Sequence, residues 1–463
     1  MHPDIDDDGT PNQRSKRSVH DPRNPENEDL YWIHGAQLAL QDLLLKEINT
    51  NVAKNIIFFI GDGMSVSTVT AARTYLGQLQ GNSGEESSLF FESFPSVGLS
   101  KTYCIDKQIA DSACTATAYM CGVKANYGTI GVSGRVKRND CYAAKKPHNR
   151  LSSIARWAQL AGKATGIVTT TRVTHASPAG TFAHVANRNY ECDADVLNYK
   201  QDPVECEDIA SQLINGQTGR NFNVILGGGR SKFLPNDVRD EDGHRGSRAD
   251  GINLIEKWRR EKESIGGAYV YDKDGLDRVD LNETTFLLGL FSSTHMDFNL
   301  ESDTDIQPTL STMTKAAISV LSKNPNGFFL FVEGGRIDHA HHFTTAKKAL
   351  DETVQMADAV RVAVTLTNPK DTLTVVSADH SHTMTINGYA NRGTDILGLS
   401  TSTANDKLPY TTLSYANGPF NYMTTSGKRM DLSKMDMEGD SFRYPSMVPM
   451  RSETHGALHL NKI

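Results

Sequence analysis

The stretch "GFFLFVEGGRIDHAHHF", residues 327–343, joins a continuous apolar run to a dense cluster of acidic and histidine side chains. A continuous rather than alternating apolar run is typical of a strand that is covered on both faces. Four other runs have this character: "NIIFFI" (55–60), "TGIVTT" (165–170), "FNVIL" (222–226) and "TLTVV" (372–376). Helical patterns such as "MTKAAISVLSK" lie between the runs. The sequence therefore predicts an α/β fold, with a large, mostly parallel central sheet flanked by helices on both faces.

The composition excludes several classes of protein. The chain has 463 residues, of which 38% are hydrophobic and 22% charged, as in an ordinary soluble globular protein. A net charge of −7 argues against a nucleic-acid-binding groove, which needs clustered Lys and Arg. No apolar run approaches the ~18 residues of a membrane helix, so no transmembrane segment is expected.

Changes in residue composition along the chain suggest three regions. Residues 1–27 are polar, lack the apolar core of a signal peptide and are predicted to be disordered. A helix is predicted from about 28 to 48. Residues 388–445 are rich in Gly, Ser, Thr and Asn and are expected to form an irregular insertion. The main domain would then comprise residues 28–387 and 446–463.

Polar side chains follow four of the apolar runs, at the point where each predicted strand ends. In open α/β sheets, ligands bind outside the carboxyl ends of the strands. A single acidic residue in a glycine turn is usually a surface feature, but four strands that end this way predict a binding site. The residues concerned are Asp62, His175, Ser177, Glu333, Asp379 and His380.

The residue types and spacings indicate metal ions. Asp338 and His342 are spaced i, i+4, which places both on one face of a helical turn and suits zinc. His455, which alone would be an ordinary surface histidine, could be a third ligand. His339 and His341 would point elsewhere, either surrounding the site or solvated.

Two further metal sites share one aspartate. Asp62, Asp379 and His380 could hold a second zinc. The oxygens of Asp62, Ser177 and Glu333 suit magnesium, with waters completing its shell. In this interpretation Asp62 bridges two metals.

The segment "DSACTATAYMCG", residues 111–122, contains a candidate nucleophile. Its small residues suit a tightly packed helix that ends at Gly122. Ser112 would lie at the helix N-terminus, where backbone N–H groups favour a negative charge. A simple N-cap serine is the alternative, but the neighbouring metal ligands favour a nucleophile, because zinc can activate a serine hydroxyl.

Seven segments together resemble the signature segments of alkaline phosphatases, in particular the animal branch. They are "GDGM", "DSACTATAY", "TRVTHASPAGTFAHVANRN", "LGGGR", "VEGGRIDHAHH", "ADHSH" and "SETHG", and they occur in the family's order from about residue 54 to 456. The resemblance implies an extracellular or cell-surface homodimer that hydrolyses phosphate monoesters through a phosphoserine. It also implies two zinc ions and one magnesium ion per subunit, and a crown-like insertion at 388–445.

Position by position, the resemblance implies a role for each matching residue. Ser112 would be the nucleophile, and Arg188 would bind two phosphate oxygens with its planar guanidinium. The first zinc would bind Asp338, His342 and His455. The second would bind Asp62, Asp379 and His380, with Ser112 in contact, and magnesium would bind Asp62, Ser177 and Glu333. His175 would lie beside the magnesium, Cys141 would pair with Cys206, and Cys121 would be a free thiol.

The chain end departs from the family pattern. The family continues after its Thr-His-Gly motif with a strand, a helix, a second cysteine pair and often a lipid-anchor signal, whereas this sequence ends "SETHGALHLNKI". We therefore expect the zinc at His455 to bind more weakly than the other. The alternative function is a weakly active or inactive phosphate- or metal-binding relative. A sulfatase or phosphodiesterase is disfavoured by the serine nucleophile and the absence of a C-x-P-x-R motif. The sequon "NET" at Asn282 suggests glycosylation.

Overall fold

The computed structural model describes residues 25–46, 49–419, 422–424, 426, 428–449 and 461–462. The strands of these residues are β1 (Asn55–Gly61), β2 (Leu99–Ser100), β3 (Ala164–Arg172), β4 (Val224–Gly228), β5 (Gly267–Val270), β6 (Phe286–Leu290), β7 (Phe328–Gly334), β8 (Thr372–Ala378), β9 (Met384–Ile386), β10 (Leu399–Thr403), β11 (Pro409–Thr411), β12 (Leu413–Gly418), β13 (Ser446–Pro449) and β14 (Asn461–Lys462).

The α-helices of the same residues are α1 (Asp29–Leu45), α2 (Val66–Leu79), α3 (Ser112–Cys121), α4 (Cys141–Lys145), α5 (Ile154–Leu160), α6 (Ala176–Ala179), α7 (Asp193–Asn198), α8 (Ile209–Asn215), α9 (Leu254–Lys262), α10 (Lys273–Arg278), α11 (Leu310–Leu321), α12 (Arg336–His342) and α13 (Ala346–Leu366). No helix in this part of the chain is long and apolar enough to cross a membrane.

A seven-stranded sheet in the order β5-β6-β4-β3-β7-β1-β8 forms the centre of the fold. All its pairings are parallel, which confirms the predicted fold class. The five apolar runs correspond to β1, β3, β4, β7 and β8. Two strands of this sheet were not predicted: β5 has only four residues and lies at the sheet edge, and β6 is interrupted by Gly289. A Cβ at Gly289 would lie 2.5 Å from the Phe291 ring, so only glycine fits this close approach.

Hydrophobic side chains fill the space on both faces of the sheet. Phe59 and Leu330 belong to a core that includes residues of α11 and α13. Ile60 and Phe331 belong to a second core, formed with residues of α3, α5, α8 and α9. Because successive side chains of a strand alternate between faces, the continuous apolar runs supply both cores.

The region around residues 388–445 is more regular than predicted. Strands β10 and β11 form a ribbon, and β9, β12 and β13 form a small sheet that extends beyond both predicted boundaries. The helix predicted near the N-terminus is α1, and none of its residues is buried. Residues 1–24, most of the predicted disordered segment, lie outside the described residues. The division into regions therefore remains a prediction.

Glu352, a residue of α13, has a buried carboxyl group that accepts a hydrogen bond from the Asn299 backbone N–H at 2.8 Å. Burial raises its pKa from 4.5 to about 7. Because the folded state binds the Glu352 proton more tightly than the unfolded state, protonated Glu352 stabilises the fold below pH 4.5. This contribution to the free energy of unfolding is lost as the pH rises through 7. At about 1.4 kcal/mol per pKa unit, the loss is about 3 kcal/mol. Relative to Glu352→Gln, the wild-type chain should lose this much stability between pH 4.5 and 8.

Urea unfolding of both chains at several pH values measures this difference. Glu283→Gln, at an exposed position, is the matched control and should show no such trend. A constant difference between wild type and Glu352→Gln across the range would contradict the prediction.

Candidate active site

The carboxyl ends of β1, β7 and β8 lie side by side and carry the acidic residues of the site. Ile60 of β1 pairs with Glu333 of β7, and Gly61 pairs with Ala378 of β8. Asp62 and Asp379 follow directly on β1 and β8. This register brings together carboxylates from widely separated segments, all of them buried: Asp62, Glu333 and Asp379.

Ser112 faces two of the predicted zinc ligands. Its Oγ lies 3.3 Å from both carboxylate oxygens of Asp62 and 3.2 Å from Nε2 of His380. His380 Nε2 is in turn 3.3 Å from an oxygen of Asp379. The side chains of Asp62, Asp379 and His380 have ligand atoms that all lie within 4.8 Å of one another. The arrangement places a hydroxyl beside a group that could hold a metal ion.

Helix α3 begins at Ser112, and its cap is Asp111. The Asp111 carboxylate accepts the Cys114 backbone N–H at 3.2 Å. Gly122 ends the helix in the left-handed conformation, with φ of 69°, as predicted. The interpretation of Ser112 as a mere N-cap is therefore wrong, because the neighbouring aspartate takes that position. The Ser112 hydroxyl is left to face the acidic cluster at the positive end of the helix dipole.

Two of the predicted magnesium ligands, Asp62 and Glu333, form a second group together with His175. Asp62, His175 and Glu333 have ligand atoms within 4.8 Å of one another. Thr169 and Thr171 donate hydrogen bonds to one oxygen of Glu333, at 2.5 and 3.1 Å. Its other oxygen and the Ser177 hydroxyl, both buried, have no hydrogen-bond partner within the described residues. Buried polar atoms of this kind rarely remain unpaired.

Burial and neighbouring like charges disfavour the charged forms of the carboxyl groups in this group. Burial raises the pKa of Asp62 well above its ordinary value, and the charges of Asp379, Asp338 and Glu333 raise it further. Burial likewise raises the pKa of Glu333 to about 7. Both shifts have the sign expected of carboxylates that are buried beside like charges.

A third group contains Asp338 and His342 together with His382. His342 Nε2 lies 3.2 Å from one oxygen of Asp338, and His382 Nε2 lies 2.7 Å from the other. Burial alone would lower the pKa of His342, but the neighbouring Asp338 raises it. His455, the third ligand predicted here, lies outside the described residues.

The sequence analysis did not assign a role to His382, although it is part of the quoted segment "ADHSH".

Besides His342, helix α12 carries two further histidines, and both have defined surroundings. His341 is buried and lies 2.9 Å from the Thr68 hydroxyl and 2.8 Å from the Tyr415 hydroxyl, so of the two predicted alternatives it surrounds the site and is not solvated. His339 packs against the rings of His175 and His295.

Arg188 reaches the site from the loop after α6. Its guanidinium donates to Asp111 Oδ2 at 3.2 Å and lies 3.2 Å from His175 Nε2. Its backbone N–H donates to the Gly128 carbonyl at 2.8 Å. The guanidinium thus lies beside the N-terminus of α3, where it and the backbone N–H groups of the helix can bind the same anion.

The alkaline phosphatase family model matches residues 53–461 of the sequence. The chain belongs to the alkaline phosphatase family. It is 49% identical to the membrane-bound alkaline phosphatase of Bombyx mori over 439 residues, which cover 93% of this chain and 80% of that protein. It is 47% identical to the tissue-nonspecific isozyme of Gallus gallus over 441 residues, covering 93% and 83% of the two chains.

Solved structures show the same fold. The cold-active alkaline phosphatase of Shewanella sp. superimposes with a TM-score of 0.56 at 27% identity, over 73% of this chain and 70% of that chain. Family membership makes the protein a metal-dependent hydrolase of phosphate monoesters.

The cysteines form two disulfides among the described residues. Cys141 pairs with Cys206, as the resemblance implied, and Cys121 is a buried free thiol. Cys104 pairs with Cys114, which sequence reasoning did not predict. Cys114 is two residues after Ser112, so this second disulfide borders the site.

Proposed function

We propose that the chain hydrolyses phosphate monoesters through a phosphoserine on Ser112, at a site that holds two zinc ions and one magnesium ion. The observation that carries the proposal is the position of the Ser112 hydroxyl. It lies at a helix N-terminus, 3.3 Å from the Asp62 carboxylate and 3.2 Å from His380.

The donor groups fit the proposed metals. One zinc would be held by Asp62, Asp379 and His380, a nitrogen and oxygen set that zinc accepts. The other would be held by Asp338 and His342, with His455 as the further proposed ligand. Magnesium would be held by the oxygens of Asp62, Ser177 and Glu333. The unpaired oxygens of Ser177 and Glu333 support the magnesium assignment. When bound, such ions act as Lewis acids that lower the pKa of hydroxyl groups and stabilise negative charge on phosphate oxygens.

The protein groups would then position the reacting atoms. Ser112 Oγ attacks phosphorus in line with the ester oxygen, the ester P–O bond breaks, and the alcohol leaves. Water attacks the phosphoserine in a second displacement, which frees phosphate and restores the hydroxyl. In both steps the backbone N–H groups of α3 and the Arg188 guanidinium face the phosphate oxygens. His175, beside Arg188, would orient that guanidinium.

An assay with p-nitrophenyl phosphate tests the proposal, using protein loaded with zinc and magnesium. Bis-p-nitrophenyl phosphate and p-nitrophenyl sulfate serve as competing substrates. We expect preferred hydrolysis of the monoester and loss of turnover after chelation. Phosphate binding without turnover would instead support the inactive relative, and preference for the diester or the sulfate would overturn the proposal.

Arg188→Ala should weaken inhibition by inorganic phosphate and leave the metal content unchanged. Charge-assisted hydrogen bonds contribute about 1.5–3 kcal/mol, so we expect the inhibition constant to rise about 10- to 150-fold. Arg188→Lys should retain part of the affinity for phosphate, since a lysine keeps the positive charge but cannot donate two parallel hydrogen bonds to the phosphate oxygens. Arg361→Ala, at an exposed position on α13, is the control. An unchanged inhibition constant in Arg188→Ala would exclude Arg188 from the site.

We also propose that the protein is an extracellular or cell-surface homodimer. Helix α1 exposes Trp32 (57%), Leu40 (57%) and Leu43 (67%), which a second copy could cover. Two disulfides suit an oxidising compartment, and the sequon residue Asn282 is exposed. Light scattering of the intact chain and of Leu40→Ser/Leu43→Ser tests the dimer. A wild-type monomer would refute it.

A further inference from the structure

The Cys104–Cys114 disulfide closes a loop directly before the nucleophile helix. Both cysteines are 2% exposed and pack with Ala110 and Ala125 in a small hydrophobic cluster. Cys114 lies in the first turn of α3. In the loop between the two cysteines, residues 105–108 are all exposed, whereas Ala110 to Ala113 are buried. The covalent bond therefore anchors the exposed half of the loop, which has few buried contacts of its own.

The anchored segment ends at Asp111, whose carboxylate connects three parts of the site. One oxygen accepts the backbone N–H groups of Cys114 at 3.2 Å and Gly128 at 3.1 Å. The other accepts the Arg188 guanidinium at 3.2 Å. Asp111 is completely buried, and Arg188 retains 17% of its side-chain surface. The direction of the arginine therefore depends on this carboxylate as well as on His175, which lies 3.2 Å from the guanidinium.

The other end of the segment connects to the same arginine by a second route. The Ile105 backbone N–H donates to the Ala125 carbonyl at 3.0 Å, and the Tyr127 N–H donates to the Asp106 carboxylate at 2.8 Å. The next residue, Gly128, accepts the Arg188 backbone N–H at 2.8 Å. Both the backbone and the guanidinium of Arg188 are thus held by groups that the disulfide ties together.

We propose that the Cys104–Cys114 disulfide is a positioning element for Arg188, and that it raises the affinity of the site for phosphate. This inference rests on the proposed function, in which Arg188 contacts phosphate. Without the bond, the loop before Asp111 gains freedom, and the carboxylate that directs the guanidinium is less well fixed. A small misplacement of a positioning group can cost as much as 10²-fold, so we expect an effect on the order of tenfold.

Non-reducing peptide mapping of the purified chain is the first test, and it should find Cys104 linked to Cys114. Free thiols at both positions would overturn the inference. The second test compares wild type with Cys104→Ala/Cys114→Ala and with Cys104→Ser/Cys114→Ser. Substitution is preferred to chemical reduction, because thiol reductants also bind zinc. Cys121→Ala is the matched control, since it removes a buried sulfur from the same helix without breaking a cross-link.

We expect both double variants to bind inorganic phosphate about tenfold more weakly in calorimetry. KM should rise by a similar factor, kcat should change less, and zinc and magnesium content should stay constant. Cys121→Ala should match wild type in phosphate affinity. A purely structural role would lower the melting temperature and leave phosphate affinity unchanged, which would contradict the inference. So would a failure of both double variants to fold.

A double-mutant cycle with Arg188→Ala decides whether the effect passes through the arginine. In the Arg188→Ala background, loss of the disulfide should cause no further weakening of phosphate binding. A full additional tenfold loss would show that the bond acts elsewhere. Calorimetric phosphate binding does not require turnover. A wild-type chain that binds phosphate but hydrolyses nothing would therefore refute the proposed function and still test this inference.

Discussion

Replacing Ser112 with alanine is expected to abolish the phosphoenzyme and to reduce kcat by 10³-fold or more. The substitution removes only the hydroxyl oxygen, which is the proposed nucleophile of the first displacement. A 10³-fold loss corresponds to about 4 kcal/mol of transition-state stabilisation. The fold should be unaffected, because Asp111 rather than Ser112 caps α3. Asp62, Asp379 and His380 should still hold the second zinc without the Ser112 hydroxyl. Phosphate binding should also persist.

The measurement is acid quenching with ³²P-labelled substrate, followed by digestion and mapping of the labelled peptide. Wild type should carry the label on the peptide that contains Ser112, and Ser112→Ala should carry none. Ser211→Ala, in the first turn of α8, controls for loss of a hydroxyl near a helix start. Label on any other residue would remove Ser112 from its assigned role.

Asp62→Asn should have two effects of opposite sign. In metal-loaded protein, kcat should fall by 10³-fold or more, because the carboxylate is the one residue shared by a proposed zinc site and the proposed magnesium site. In metal-free protein the same change should raise the melting temperature at pH 8. Asp62 is buried and its pKa is raised by burial and by the charges of Asp379, Asp338 and Glu333. Removing its charge relieves this repulsion.

Metal analysis, turnover and thermal unfolding should be compared with and without zinc and magnesium. Asp358→Asn, at a position with 44% side-chain exposure, is the matched control and should change none of the three. If Asp62→Asn destabilised the metal-free chain, the cluster would not be the source of repulsion inferred here. If it retained both metals and full turnover, Asp62 would not be a bridging ligand.

The sequence predicted the elements of the site better than their mutual arrangement. The continuous apolar runs identified five of the seven central strands, because burial on both faces leaves a clear pattern. The positions of Asp62, Glu333 and Asp379 followed from the ends of these runs. Strand β5, with only four residues at the sheet edge, leaves no such pattern. Strand β6 was missed because Gly289 interrupts it.

Contacts between distant segments could not be derived from local patterns. His382 lies 44 positions from Asp338 in the chain, and no spacing rule connects them. The pairing of Cys104 with Cys114 depends on how the exposed loop returns to α3. Asp111 looked like an ordinary residue beside a serine, although its carboxylate connects α3, Gly128 and Arg188. Such roles become visible only when the loops are placed around the sheet.

The position of β1 between β7 and β8 determines when the site can form during folding. Ser112 contacts His380 across 268 positions, and the Gly63 N–H bonds to Asp379 across 316. Pairings of such long range fold slowly, because loop closure must precede the contacts that stabilise it. During synthesis, the nucleophile helix leaves the ribosome long before β7 and β8 exist. Metal uptake should therefore be a late event that reports completion of the central sheet, and nascent chains that end before residue 372 should bind no zinc at this edge.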